Sequence, residues 1–365
     1  MGNPMPRISA VLVTVAGVAA LALPALAKKQ NPAAVALFKK AIASSDLEAK
    51  GSAAYRLQAT VRVFGANNEH TDGILVEFWT PDGKWREETI LQGYQLVVVS
   101  DGQHLWTKNT ANYLPYDVHE LWTALAFTER LRWWLAPTKN TLWVAGAVER
   151  TLFPGQKVHL DKPRKEKKLR DECVEGEISG GLEEDFCFDS ASGHLLRVLG
   201  QSDIDGSNYE FSNYVAIGRK SFPSTLRVTE GQSRELLEIH IDEINPLTRV
   251  SPGTFLPMQG SSEEPAPATC SRVEMGDWMR RVKPLYPPAA ARKRVAGYVG
   301  FYGYVGIDGV IRGLVPLWSP AQVLTAAALQ AISQTRFRPT VCESGGVAQS
   351  VPRIAYPATD VRPGN

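Results

Sequence analysis

Six histidines, His70, His104, His119, His159, His194 and His240, are the residues of this chain best suited to acid–base or metal chemistry, and their spacing supports neither. They form no HExxH helix, no paired spacing and no set with nearby Cys or Asp. His240 alternates with Ile239 and Ile241, which places it on the polar face of a strand. The sequence contains no GxSxG nucleophile elbow, no P-loop and no GxGxxG turn following a strand. Gly297, Gly300 and Gly303 recur at three-residue intervals, but the Lys and helix start that phosphate binding requires do not accompany them. Catalysis is therefore not expected, nor is a metal or a cofactor. Paired carboxylates are the one reactive arrangement that sequence leaves open.

Cys173, Cys187, Cys270 and Cys342 lack CxxC spacing, so disulfides are a better reading than metal ligation. Four cysteines allow three connectivities. Local pairing, Cys173 with Cys187 and Cys270 with Cys342, is the economical choice, and the second bond would clamp a small C-terminal unit. An oxidising compartment is consistent with the N-terminus. Arg7, the apolar run Ile8 to Leu23, and Pro24-Ala25-Leu26-Ala27 before Lys28 read as a secretory signal peptide over residues 1–27. Cleavage would leave a periplasmic protein. The alternative is an uncleaved inner-membrane anchor, since about 18 apolar residues can span a bilayer. The segment has no His or acidic residue that could respond to protons, and no Cys follows Ala27 as in a lipoprotein.

The elements that must position these residues fall into two groups. In the C-terminal part, Gly297 to Ile307 is rich in aromatic and β-branched residues and predicts a strand. Asp308-Gly309 predicts a tight turn, and Val310 to Leu317 the return strand. Ser319-Pro320-Ala321-Gln322 predicts a helix start, with Val323, Leu324, Ala327, Ala328, Ala331 and Ile332 as its apolar stripe to about Gln334. A last strand is expected over about Val347 to Tyr356.

Together with Tyr286-Pro287 and Arg336-Phe337-Arg338-Pro339, that order resembles the C-terminal domain of the TonB family over about residues 271–357. The resemblance implies two helices on a three-stranded antiparallel sheet whose last strand leaves an edge for strand addition. It implies an outer-membrane TonB-dependent transporter or another envelope protein as partner, bound through Tyr286, Pro287, Arg336, Phe337, Arg338, Val347, Gln349 and Val351. Leu285 and Thr335 depart from the family pattern, and Pro352 limits the length of the free edge. The alternative is that the module has become a packing or oligomerisation unit.

Residues 28–257 read as one β-rich domain. Asn31-Pro32 predicts the start of a first helix, with Val35, Phe38 and Ile42 on one face. Strands are expected over Ala54–Phe64, Gly73–Thr80, Trp85–Leu91, Gln95–Val99 and Gln103–Lys108, a helix over Val118–Leu135, then strands at Thr141, Glu172, Gly181, Leu195, Tyr209, Thr225 and Leu236. Tyr209-Glu210-Phe211-Ser212-Asn213-Tyr214, Ser221-Phe222-Pro223, Leu237 to Ile241 and Phe255-Leu256-Pro257 resemble the closing strands of the LolA/LppX lipoprotein-carrier fold. The resemblance implies a curved antiparallel sheet wrapped round helices and a cavity for a lipid or acyl chain. Its lining would include Val76, Phe78, Trp79, Trp85, Leu96, Val98, Trp106, Leu121, Leu125 and Trp134. The alternative is a filled core.

With 365 residues, 44% hydrophobic and 21% charged, the chain suits two globular domains of an α+β class. Residues 258–269 form a short polar linker, 270–357 the small domain and 358–365 a tail. From Ser271 onward twelve Lys and Arg stand against five Asp and Glu, a balance of 12 − 5 = +7, so the small domain is the basic end. Such a domain suits anionic lipid surfaces or acidic partner segments. Nucleic acid is not expected outside the cytosol. The sequence thus reads as a non-enzymatic envelope adaptor in transmembrane transport, or alternatively a periplasmic lipid or lipoprotein carrier whose small module serves for docking.

Overall fold

The computed structural model describes residues 30–65, 69–111, 113–135, 157–165, 171–178, 182–200, 207–231, 234–264, 273–274, 277–306, 308–338, 340–342, 347–348 and 354–357. The expected signal segment, the strand at Thr141, Cys270, Gln349, Val351 and the tail lie outside these residues. Helix α1 (Pro32–Ser45) starts where its cap predicts: Asn31 Oδ1 accepts hydrogen bonds from the backbone N–H groups of Ala33 and Ala34, and Pro32 occupies the first position. Five strands follow as sequential hairpins, β1 (Tyr55–Phe64), β2 (His70–Trp79), β3 (Trp85–Leu91), β4 (Tyr94–Ser100) and β5 (Leu105–Asn109).

The single helix expected over 118–135 is two, α2 (Tyr116–Leu125) and α3 (Phe127–Leu135). Each half has a different floor. Helix α2 lies on the strands at the centre of the sheet, whereas α3 packs on α1. The chain then runs through β6 (Val158–Leu160), β7 (Arg164–Lys165), β8 (Asp171–Ile178), β9 (Leu182–Asp189), β10 (Leu195–Gly200), β11 (Ser207–Ile217), β12 (Lys220–Glu230) and β13 (Arg234–Pro246). A further strand, β14 (Ser262–Glu264), forms within the expected linker.

These strands make one antiparallel sheet in the order β14-β5-β4-β3-β2-β1-β13-β12-β11-β10-β9-β8-β6, with β7 also on β8. Two meanders join where β1 pairs with β13 along nearly its whole length, Tyr55 opposite Pro246 through Val63 opposite Leu237. Sequential hairpins need only local turns, and the β1–β13 pairing is the one long-range closure that unites them. Alternation decides what each strand buries. In β1, Tyr55, Leu57, Ala59, Val61 and Val63 are buried on the helix side while the intervening residues are only partly covered. His240, as expected, is exposed between buried Ile239 and Ile241.

Cys173 and Cys187 stand opposite each other on β8 and β9 and form a disulfide. Cys342 ends a short C-terminal strand, and its expected partner Cys270 is not among the described residues.

The C-terminal part comprises β15 (Val273–Glu274), β16 (Trp278–Arg280), α4 (Pro288–Arg292), β17 (Tyr298–Val305), β18 (Ile311–Trp318), α5 (Gln322–Ser333), β19 (Arg336–Phe337), β20 (Thr340–Cys342), β21 (Val347–Ala348) and β22 (Ile354–Pro357). The hairpin β17–β18 and strand β22 form a three-stranded antiparallel sheet, β18-β17-β22. The last strand differs from expectation. Val347 belongs to β21 and pairs with Val341 of β20, away from that sheet, and only Ile354–Pro357 joins β17. Pro352 lies between the two pieces in sequence and supplies no N–H for a continuous ladder.

Helix α5 begins later than its capping signature predicts. Ala321 is the N-cap, and Ser319 Oγ accepts from the Ala321 N–H just ahead of the helix. Among the described residues no helix is long and apolar enough to cross a membrane.

The small sheet is covered on both faces. Val299, Phe301, Val305 and Ile311 pack with Leu324, Ala328 and Ile332 of α5. Tyr302 and Tyr304, pointing the other way, are buried in the core of the large sheet. The Tyr302 hydroxyl donates to the carbonyl of Leu114 at 2.8 Å, and its ring packs on Tyr116 and His119. The expected linker is likewise in contact with the large sheet: Ser262, Glu263 and Glu264 pair with Thr107, Trp106 and Leu105, covering the edge of β5.

Candidate functional site: paired glutamates on the helix-facing side of the large sheet

Three rows of side chains cross the helix-facing side of β1 to β5. Tyr55, Trp79, Trp85, Ser100 and Leu105 form one row, Leu57, Glu77, Glu87, Val98 and Thr107 the next, and Ala59, Leu75, Thr89 and Leu96 the third. The outer rows bury ordinary core residues. The middle row places two glutamates there, because β2 and β3 each carry a Glu in the inward register.

These side chains are walled by protein without being sealed. Glu77, Trp85 and Glu87 on the strands, with Trp122 and Leu125 on α2, are all half-buried, while Leu57, Leu75 and Val98 beneath them are closed to solvent. This partial access beside closed core residues makes the region the candidate site. Tyr55 and Trp79 stack at its lower end with ring centroids 5.7 Å apart.

The polar network in the cleft is almost wholly acidic. The Tyr55 hydroxyl donates to Glu77 Oε1 at 2.6 Å, with Glu48 Oε1 at 3.4 Å from the same oxygen. Thr89 donates to Glu87 Oε1 at 3.1 Å. Asp46 and Glu129 close the rim, and Arg132 pairs with both of them.

Burial is the largest cause raising the carboxyls of Glu77 and Glu87 to about 7. Glu48 keeps part of its surface open to solvent, yet enclosure by protein, followed by the charges of Glu77, Glu129 and Asp46, raises it to about 8. Enclosure also pushes Glu129 and Tyr55 upward. Near neutral pH Glu77 and Glu87 therefore exchange between carboxyl and carboxylate, so the floor can donate as well as accept hydrogen bonds. The indole N–H of Trp122 adds a donor: it lies near enough to lower the Glu87 pKa, but it has no partner at hydrogen-bonding distance.

The expected lining residues divide into three groups. Trp85, Val98 and Leu125 face the cleft, as do Trp79 and Leu96. Leu121 and Trp134 are fully buried and serve the core: Trp134 packs edge-on against Phe186, and its N–H donates to Glu184 at 3.1 Å. Glu184 also receives the Arg130 guanidinium, which fixes α3 to β9.

Phe78 and Trp106, with Val76, lie on the opposite face and are a correction to the expectation. Phe78 and Trp106 pack with Val97, Val99 and Phe255 beneath the 3-10 turn Pro252–Phe255. The reason is the two-residue period of a strand, by which Phe78 and Trp79 cannot share a face. The sequence reading also missed Glu77, Glu87 and Trp122. Inward glutamates in otherwise apolar registers were the signal that could have found them.

The residues expected to hold a protein partner are dispersed. Tyr286 is half-buried and donates to the Val295 carbonyl at 2.5 Å, and Pro287 is the N-cap of α4. Phe337 is buried against Trp278 at 4.2 Å, whereas Arg336 and Arg338 are exposed. Gly309 explains the tight junction here. It has φ 73°, and a Cβ would stand 2.2 Å from the Phe337 carbonyl oxygen, so the turn requires glycine.

One serine–histidine contact exists elsewhere: Ser221 Oγ lies 2.7 Å from His194 Nε2, whose ring stacks on Tyr214. Asp189, the nearby acid, accepts instead from Ser192 and Ala191, so it does not orient the ring as a triad acid would. Among the described residues no three His, Cys, Asp or Glu side chains are grouped to hold a metal ion.

The fold and site define a class: a large antiparallel sheet with helices packed on one side and two glutamates in its helix-facing registers. No protein-family profile matches the chain, and no curated protein is similar to it in sequence. Solved structures do resemble it. A LolA superfamily protein from Nitrosomonas europaea is 11% identical, with 61% of this chain and 97% of that one covered and a TM-score of 0.37. A protein described as an outer membrane lipoprotein-sorting domain, from Vibrio parahaemolyticus, is 13% identical over 61% and 96%, also with a TM-score of 0.37. The MucA/MucB complex of Pseudomonas aeruginosa gives 10% identity over 70% and 72%, with a TM-score of 0.25. At these scores the assignment rests on the geometry of the chain itself.

Proposed function

We propose that this chain is a periplasmic carrier or binding protein for an amphiphile carrying an acyl chain, and that it acts without catalysis. The observation that carries the reading is the pair of inward glutamates among half-buried aromatics on the helix-facing side of the large sheet. Half-buried Trp85 and Trp122 stand beside Glu77 and Glu87, whose carboxyls burial raises to about 7. An acyl chain would lie against Trp79, Trp85 and Leu125, and burial of its methylenes would supply roughly 0.8 kcal/mol per CH₂. The polar end would meet Glu77, Glu87 and Trp122. Phe78 and Trp106, on the far face, would take no part.

Titration of the intact protein with a fluorescent fatty-acid probe tests this. Leu125→Trp, which fills the cleft, should weaken binding at least about tenfold, a loss of about 1.4 kcal/mol. Phe78→Ala should leave it unchanged. Equal binding by Leu125→Trp and the parent protein, or no binding by the parent, would sink the proposal.

A second reading, an adaptor that binds an outer-membrane transporter by strand addition, is supported by the position of β22 at the edge of the small sheet. In that reading Ile354–Pro357, rather than Val347, offers the free edge. Capture of a TonB-dependent transporter that fails when Ala355 is changed to Pro would favour it.

A further inference from the structure

The small domain carries an outward face with a composition of its own. One side of its sheet is occupied by the large domain through Tyr302 and Tyr304, so α4, α5 and the segment before α4 lie on the side away from that contact. There Pro284, Leu285, Tyr286 and Pro287 run over Leu324, Ala327 and Ala328 of α5, forming a shallow apolar groove. Leu285 stands out of it with 87% of its surface exposed, and Met279, earlier in the same segment, is 67% exposed.

Cations surround this apolar ridge. Lys283 precedes it, and the bond from the Tyr286 hydroxyl to the Val295 carbonyl brings the end of α4, with Arg292, Lys293 and Arg294, beside it. All four are exposed, and no Asp or Glu occurs between Trp278 and Val305. Among the described residues none of these four has an ion-pair partner.

Arg294 supplies an independent observation. It has φ 51°, and its position is that of the left-handed residue closing a helix: its N–H reaches the Ala291 carbonyl and the Val295 N–H reaches that of Ala290. Glycine is the favoured residue there, and an arginine carries backbone strain. The strained position thus places an exposed cation at the rim of the apolar ridge.

We propose that this face docks on a bilayer leaflet of anionic phospholipid. Leu285 enters the interface between headgroups and acyl chains, and Lys283, Arg292, Lys293 and Arg294 meet lipid phosphates. Charge complementarity selects this occupant, because the face combines an apolar ridge with unpaired cations and contains no acid. The inference deepens the docking role given to the small module in the carrier reading, and orients the cleft-bearing domain away from the membrane plane.

Co-sedimentation of the full chain with vesicles tests it. Binding is expected to phosphatidylglycerol-containing vesicles and not to pure phosphatidylcholine, with loss at high salt. Arg294→Gly should weaken binding about fivefold while leaving the melting temperature unchanged or higher, since it relieves the backbone strain. Leu285→Ser, at an exposed site, should weaken it without unfolding the protein. Absence of binding to phosphatidylglycerol vesicles, equal binding to phosphatidylcholine, or parent-like binding by both variants would overturn the proposal, as would retention on heparin alone. The fatty-acid probe reports the carrier reading separately: a chain that binds vesicles but not the probe retains the docking face and loses the cleft assignment.

Discussion

Glu77 and Glu87 stand directly opposite each other on β2 and β3, and both carboxyls are turned into the cleft under α2 and α3. Two acids in adjacent inward positions cannot both ionise cheaply in such an enclosure, and the charges of Glu48 and Glu129 increase the cost.

A pH dependence of stability follows. Folded Glu48, Glu77 and Glu87 titrate near 8, 7 and 7, above the ordinary value of 4.5 that the unfolded chain restores. Between those limits the folded state binds more protons than the unfolded state, so stability falls as pH rises. The contribution is full below about pH 4.5, declines as pH rises toward 7 to 8, and levels off beyond. Asp46 and Glu129 face the same groups and add to the trend, whereas Arg132 and the hydrogen bond from Tyr55 to Glu77 oppose it. Glu87→Gln should flatten the profile and raise stability on the order of 1 kcal/mol at pH 8. Thermal melts from pH 5 to 8 check both; a rise in melting temperature across that range would contradict them.

Tyr302 ties the small domain to the large one. Tyr302→Phe removes the bond to Leu114 and should cost about 1 kcal/mol. Tyr302→Ala empties a fully buried site and should cost about 3–5 kcal/mol. Hydrogen exchange should then increase first in β17 and β18, with β1 and β13 still protected. Uniform loss of protection would show instead that the two parts unfold as one.

Gly176 lies under Trp134. A Cβ there would meet Trp134 Cζ3 at 2.7 Å, inside van der Waals contact with a fully buried ring held by Glu184. Gly176→Ala should destabilise the protein by about 1–3 kcal/mol through overpacking. Urea denaturation measures it, and a neutral result would mean that α3 can shift from β8.

Cys173 and Cys187 close a loop with a sequence separation of 14. Replacing both by Ala should cost about 3 kcal/mol. The same loss is expected on full reduction of the parent protein, and a reduced form as stable as the oxidised one would refute it.

Much of the architecture was legible locally. Asn31-Pro32 specifies where α1 begins, and turns with Gly83 and Gly102 space the hairpins β2–β3 and β4–β5. The Cys173–Cys187 pairing was available from adjacent strands. These are short-range features, in which a few neighbouring residues contain the whole physical cause.

The site was less legible for a definite reason. Periodicity assigns residues to faces only once register is known, and a one-residue difference sends Phe78 outward and Glu77 inward. Trp106 was likewise placed by its pairing with Val99, not by its own character. The division of 118–135 into two helices depended on α2 and α3 having different partners.

By itself, then, the sequence determined most of the hairpins and the turns between them, the start of α1 and the basic character of the C-terminal end, and it made the Cys173–Cys187 bond the economical pairing. Only the tertiary structure decided which side of the large sheet became the cleft, that glutamates floor it, and that Tyr302 anchors the small domain there. Those outcomes depend on contacts between residues far apart in the chain, such as Tyr55 with Glu77 and Tyr302 with Leu114. Their energies arise only when folding brings the partners together and removes water from between them.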